Sequence, residues 1–129
     1  MPVSILIVED TADLLEAMKL VLRAAGFAVI TAETGKSALQ LLTNVRSGLI
    51  APDVIVTDIR MPEMNGLELI RAIRAIPEFV KTPIIAMTGE DKIALVHAEE
   101  FGANVTLQKP LDPNVLIENI NKLIKSKQA

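Results

Sequence analysis

The chain has 129 residues, the length of one domain, with half of them apolar and 22% charged, a balance that excludes a disordered protein. Aromatics are only 2% (three Phe, no Tyr, no Trp) and the formal charge is −3, which argues against a base-stacking platform or a cationic surface for nucleic acid. The absence of Cys excludes disulfide scaffolds, thiol catalysis and Cys-ligated zinc.

Val3–Val8 (VSILIV) reads as a strand; it is too short for a signal-peptide core, follows no basic residues and stops at Glu9-Asp10. Leu14, Met18, Val21, Leu22 and Ala25 then recur at helical spacing, and Gly26 closes that helix just past its last turn. Phe27–Thr31 is the second strand, followed by a helical stripe of Ala38, Leu41, Leu42 and Val45. Val54–Thr57 is the third, followed by Leu69, Ile70 and Ile73. Ile84–Met87 is the fourth, and a helix from about Asp91 to Phe101 ends at Gly102. Val105–Gln108, the weakest strand signal, leads to Asp112-Pro113, an N-cap with proline at the first helical position. Leu116, Ile120, Leu123 and Ile124 continue that helix, and Lys125, Ser126 and Lys127 read as a frayed, solvated end.

The first, third and fourth strands are almost continuously apolar, as strands covered on both faces are. Five strand–helix pairs in succession predict a doubly wound α/β fold, a parallel sheet with right-handed crossovers. Neither a linker nor a low-complexity tract breaks the pattern, so residues 1–129 are expected to form a single domain with no output domain. No run approaches the roughly eighteen uninterrupted apolar residues of a membrane span, and the expected location is the cytoplasm.

In an open parallel sheet the carboxyl ends of the strands share one edge, where ligands bind. That edge should collect Glu9 and Asp10 after strand one, Asp58 at the end of strand three, Thr88 after strand four and Lys109 after strand five. Converging carboxylates repel and raise one another's pKa values, and a hard divalent cation resolves the conflict. Magnesium is the natural choice, since it takes oxygen ligands and bridges carboxylates to phosphate. Lys109 and Thr88 then suit a charge clamp and a hydrogen-bond donor for phosphoryl oxygens, and Asp58 a nucleophile that forms an acyl phosphate.

Glu9-Asp10, the run Asp58-Ile59-Arg60-Met61-Pro62-Glu63-Met64-Asn65-Gly66-Leu67-Glu68, Met87-Thr88-Gly89 and Lys109-Pro110 together resemble the CheY-like receiver domain of bacterial two-component response regulators. The resemblance spans essentially the whole chain and implies a flavodoxin-like strand order 2-1-3-4-5. It further implies that Asp58 accepts a phosphoryl group from a phosphohistidine on a partner histidine kinase or histidine phosphotransfer protein. Glu9, Asp10, Asp58 and the Arg60 backbone carbonyl would hold Mg2+, Lys109 would contact the phosphoryl group, and the Lys109–Pro110 bond would be cis. Thr88 would move toward the phosphoryl oxygens and pass the change to the face formed by helix four, strand five and helix five. An unidentified downstream protein would read that face. On this reading the protein is a stand-alone phosphoacceptor with at most slow self-dephosphorylation rather than an enzyme, and its contacts involve neither nucleic acid nor membrane insertion.

Two positions depart from the family pattern. Thr106 stands where the family usually carries the switch aromatic, three residues before the lysine, which nudges the reading toward a relay or adaptor. The second is Arg60, two residues after Asp58, paired in principle with Glu90, two after Thr88; the resemblance implies that both positions flank the phosphoryl group and tune its lifetime, and an Arg60–Glu90 ion pair would hinder attacking water. Among other features, the lone His97 reads as a packed or half-exposed helix residue, and Lys122, Lys125 and Lys127 as a solvated face. Gly35-Lys36-Ser37 mimics the end of a P-loop, but Ile30 occupies the place of the required upstream glycine. Ile93 and Val96 fall off the core stripe of helix four, on the face receivers use for partners.

Three other functions are alternatives. An aspartate-nucleophile phosphatase of the haloacid dehalogenase type needs a second Asp where Arg60 stands. A flavodoxin-like cofactor binder would find its phosphate repelled by Glu9-Asp10. A degenerate receiver would act as a constitutive interaction module.

Overall fold

The computed structural model describes residues 2–44, 51–89 and 92–128, with the side chains of residues 127 and 128 left aside. Val45, Glu90, Asp91 and the side chain of Lys127 therefore lie outside the described residues. The elements run β1 (Ser4–Val8), α1 (Ala12–Ala24), β2 (Ala28–Ala32), α2 (Gly35–Thr43), β3 (Val54–Asp58), α3 (Gly66–Arg74), β4 (Ile84–Thr88), α4 (Lys92–Phe101), β5 (Val105–Gln108) and α5 (Pro113–Gln128), with a 3-10 turn at Pro77–Phe79. The strands form one parallel sheet in the order β2-β1-β3-β4-β5.

Every residue of β1, β3 and β4 is buried, which is why those strands read as unbroken apolar runs. The alternation of side chains divides the core into two layers. Leu6, Val8, Ile55, Ile84 and Ala86 face Ala38, Leu42, Leu69, Ile70, Ile73, Ala94 and Ala98 on one side. Ile5, Ile7, Val54, Val56, Ile85 and Met87 face Leu15, Met18, Leu22, Leu116 and Ile120 on the other. Helices α2, α3 and α4 thus cover one face and α1 and α5 the other, the doubly wound arrangement expected.

Local signals set most boundaries. Gly26 follows α1 with φ +97°, and Gly102 follows α4 with φ +120°, the left-handed conformation that glycine adopts without strain. Asp112 accepts from the Asn114 N–H at 2.9 Å, capping α5 as its sequence predicts. Thr34 and Ser37 form a reciprocal capping box at the start of α2, so the P-loop look-alike is a helix start.

Two helical expectations shift. The buried stripe of α1 is Leu15, Met18 and Leu22, while Leu14 is only half-buried and Ala25 is the exposed C-cap. Helix α5 continues to Gln128 rather than fraying after Ile124, because Lys and Gln are good helix formers.

Candidate functional site

The carboxyl ends of β1, β3, β4 and β5 deliver the predicted residues to one rim. Glu9 follows β1, its N–H held by the Ala32 carbonyl at 3.1 Å, and is fully buried. Asp58 ends β3 and is 5% exposed, while Asp10 is exposed at the lip. Carboxylate oxygens of Glu9, Asp10 and Asp58 lie within 4.8 Å of one another. Lys109 reaches them from just past β5, its Nζ 2.7 Å from Glu9 Oε1 and 3.1 Å from Asp58 Oδ2. The second Glu9 oxygen accepts from the Thr11 N–H at 3.1 Å, a backbone contact no side-chain motif announces.

The electrostatics follow from this crowding. Although Asp10 is exposed, the protein beneath it displaces enough water to raise its carboxyl pKa above 3.8, and Glu9 beside it adds to the rise. Burial pulls the Lys109 ammonium down, but Glu9 and Asp58 outweigh it and hold its pKa above 10.5. One ammonium among three carboxylates leaves the rim negative.

Thr88 ends β4 and is fully buried, and its Oγ1 has no hydrogen-bond partner among the described residues. A buried hydroxyl without a partner is costly and rare, so this one marks a place where an acceptor is expected. Its strand is secured from the other side by the Lys109 N–H, which donates to the Thr88 carbonyl at 2.8 Å.

The turn after Asp58 is close-fitting. Gly66 donates to the Ile59 carbonyl at 2.7 Å, and a Cβ on Gly66 would overlap the Asp58 carbonyl oxygen and come within 2.7 Å of Ile59 Cα. The Asn65 side chain accepts from the Glu68 N–H at 2.9 Å and starts α3. Glu63 takes φ +67° within this turn, a conformation uncommon outside glycine. Arg60 sits exposed on the same turn, beside the rim.

Other expected features lie both at the rim and away from it. The Lys109–Pro110 bond is cis. Thr106, on β5 in register with Ala86, stands apart from the acids and donates to Glu99 Oε1 of α4 at 3.3 Å. His97 is half-exposed, its Nδ1 3.4 Å from Glu100 Oε2. Beside Lys109, between α1 and the start of α5, opens an apolar groove of about 570 Å³ that includes Leu14, Met18, Val21, Pro110 and Leu116. No described helix is long and apolar enough to cross a membrane.

Comparison with known proteins agrees with this geometry. The family model described as the response regulator receiver domain matches residues 5–121. A chemotaxis protein CheY homolog of Campylobacter jejuni is 35% identical over 122 residues, covering 93% of this chain and 91% of that protein. The response regulator MprA of a Mycobacterium species is 32% identical over 97% of this chain, which spans 52% of that protein. The crystal structure of a putative response regulator from Chloroflexus aurantiacus superposes with a TM-score of 0.87 at 32% identity, over 97% of this chain and 99% of the other. The chain belongs to the response regulator receiver family, CheY-like in fold, whose general role is phosphoacceptor signalling. Its acidic cluster fits a hard, oxygen-seeking divalent cation, because the donor set is all oxygen, partly buried and short of positive charge.

Proposed function

We propose that Asp58 accepts a phosphoryl group from a phosphohistidine of a histidine kinase or histidine phosphotransfer protein, and that the resulting change is relayed by protein–protein contact. The observation that carries this reading is the meeting of buried Asp58 with Lys109, Glu9 and Asp10 beside the unpartnered Thr88 hydroxyl. Glu9, Asp10, Asp58 and the Arg60 backbone carbonyl would hold Mg2+. When bound, the ion supplies positive charge to the transferring phosphoryl oxygens.

An Asp58 carboxylate oxygen attacks phosphorus as the P–N bond breaks, its electron pair returning to the imidazole of the donor. Lys109, already paired with both buried acids, steadies Asp58 and meets the charge on the acyl phosphate. The Thr88 hydroxyl gains the acceptor it lacks by donating to a phosphoryl oxygen. Hydrolysis of the adduct needs water to reach a nearly buried carboxyl carbon or its phosphorus, which supports slow self-dephosphorylation rather than turnover. Arg60 and Glu90 are proposed to tune that lifetime. Any donor reaching Asp58 must lie on this rim, and the apolar groove beside Lys109 supports its docking there. The exposed Ile93 and Val96 on α4 support an output through the α4–β5–α5 face to a downstream protein.

The test is incubation with acetyl phosphate and Mg2+, followed by intact mass. A labile adduct of one phosphoryl group is expected, abolished by chelation and by Asp58→Asn. Retention of the adduct in Asp58→Asn would overturn the assignment, and inertness of the wild type would make the protein a constitutive interaction module.

A further inference from the structure

Helices α1 and α5 share one face of the sheet, where Leu15, Met18, Leu22, Leu116 and Ile120 are buried. Their facing flanks do not close over one another. Leu14 and Val21 stay half-buried and Ala17 is exposed, and the groove of about 570 Å³ lies between them and Pro110, Pro113 and Leu116. The residue types account for the opening. Ala17 is too small to fill it, and two prolines on the far side bring no N–H to bind water. From Leu14 to Val21 the wall runs two helical turns, about 10 Å.

The groove meets the acidic rim at Gly89 and Lys109, both of which line it. Lys109 Nζ lies 3.1 Å from Asp58 Oδ2, so one side chain borders both the groove and the carboxylate proposed as phosphoacceptor. Lys109 is also the sole charged residue in the described lining, and it is already paired with Glu9 and Asp58. Asp13 and Asp112, exposed beside Leu14 and Pro113 in the chain, add negative charge near the walls. A second anionic group on a ligand therefore meets repulsion there, whereas an uncharged hydrocarbon gains by leaving water.

A ligand matched to both ends carries a phosphoryl head for Asp58 and Lys109 and an uncharged apolar tail. We propose that the groove takes the hydrocarbon tail of an acyl phosphate, so that Asp58 is phosphorylated more efficiently by longer-chain acyl phosphates than by acetyl phosphate. This donor class rests on the function proposed above. An Asp58 carboxylate oxygen bonds to phosphorus while the bond from phosphorus to the acyl oxygen breaks, and its electron pair leaves with the fatty-acid carboxylate. The tail is held alike before and during transfer, so its contribution falls on KM rather than kcat.

The test follows adduct formation by intact mass, with Mg2+ and acetyl, butyryl or hexanoyl phosphate across a concentration series. Each methylene that enters the groove should raise kcat/KM by about two- to fourfold, with kcat nearly constant. Ala17→Glu keeps a good helix former at an exposed position, sets a charge in the lining and should bring the hexanoyl-to-acetyl ratio close to one. Val21→Thr keeps the shape, adds a hydroxyl and should lower the ratio part-way. A ratio taken within one variant cancels any loss of folded protein. Tail binding is read separately by amide NMR with 2-oxoheptylphosphonate, in which CH2 replaces the bridging oxygen of hexanoyl phosphate. Shifts are expected at Leu14, Val21 and Leu116 and not at Ile73, in the opposite core layer. A flat chain-length series in the wild type, or shifts that spare α1 and α5, would overturn the tail site and leave the groove to a protein donor. If no donor gives an adduct, the phosphoacceptor reading falls, and the phosphonate shifts still decide whether the groove takes a tail.

Discussion

Lys109 neutralises two acids that tertiary structure has taken out of water, and the consequences can be measured residue by residue. Lys109→Ala leaves Glu9 buried with its counter-charge removed and should cost about 2 kcal/mol or more in urea unfolding without Mg2+. Added Mg2+ should restore part of that loss, since both cations answer the same negative charge. The stabilising contribution of Lys109 is complete below its ordinary pKa of 10.5 and is lost as pH rises through its raised folded value. Asp10 works in the opposite sense. With its pKa raised by folding, its charge opposes the fold at neutral pH, and that penalty fades as pH falls through the folded value toward 3.8. Asp10→Asn should therefore raise the thermal midpoint without Mg2+, by about 2–5 °C, while weakening the Mg2+ response. A lowered midpoint would show that Asp10 stabilises the site by itself. These five rim residues were all legible in the sequence, because each falls where an apolar run stops. The Thr11 N–H on Glu9 and the Glu99 partner of Thr106 were not, since neither contact leaves a residue-type signature.

At the scale of elements, capping and close approach hold the site's frame. Thr34→Ala removes the side-chain half of the α2 capping box, leaving the residue 34 N–H on Ser37 Oγ, and should cost about 1 kcal/mol in denaturant unfolding, with adduct formation unaffected. Gly66→Ala is a sharper test, because its Cβ meets backbone rather than a flexible side chain. It should cost about 3 kcal/mol and lower the adduct yield by displacing the Asp58–Ile59 backbone. Normal stability and yield in that variant would mean that the turn relaxes freely. Strand and helix identities followed from periodicity, and helix ends from Gly26, Gly102 and Asp112. The stripe of α1 was harder to place, since Leu14 and Leu15 are adjacent and only packing against β1 decides which is buried. The hydrogen bonds that Arg74, the last residue of α3, donates to the carbonyls of Phe79, Thr82 and Gly102 left no trace in the sequence, because every residue carries a backbone carbonyl.

For the molecule as a whole, the proposed cation site at the negative rim makes stability a test of ion binding. A ligand that binds only the folded state stabilises it by mass action. The thermal midpoint should therefore rise with Mg2+ concentration in the wild type and rise much less in a Glu9→Gln, Asp58→Asn double variant. Equal responses would place the ion elsewhere. The two-layer core contains little that responds to Mg2+, so the effect should come from the rim alone.

Periodicity, chain breaks at Gly and Pro, and the residue types at strand ends were enough to give the alternating α/β plan and the side chains that meet at one rim. Those properties are local, and a chain carries them wherever its segments go. Distances, burial and partners needed the folded molecule. Lys109 meets Glu9 across a hundred positions of sequence, the Thr88 hydroxyl is without a partner among the described residues only once β4 is enclosed, and Arg74 reaches the Gly102 carbonyl only because α3 ends beside it. Long-range contacts carry no local signature, and the charge environment of the site is made entirely of them.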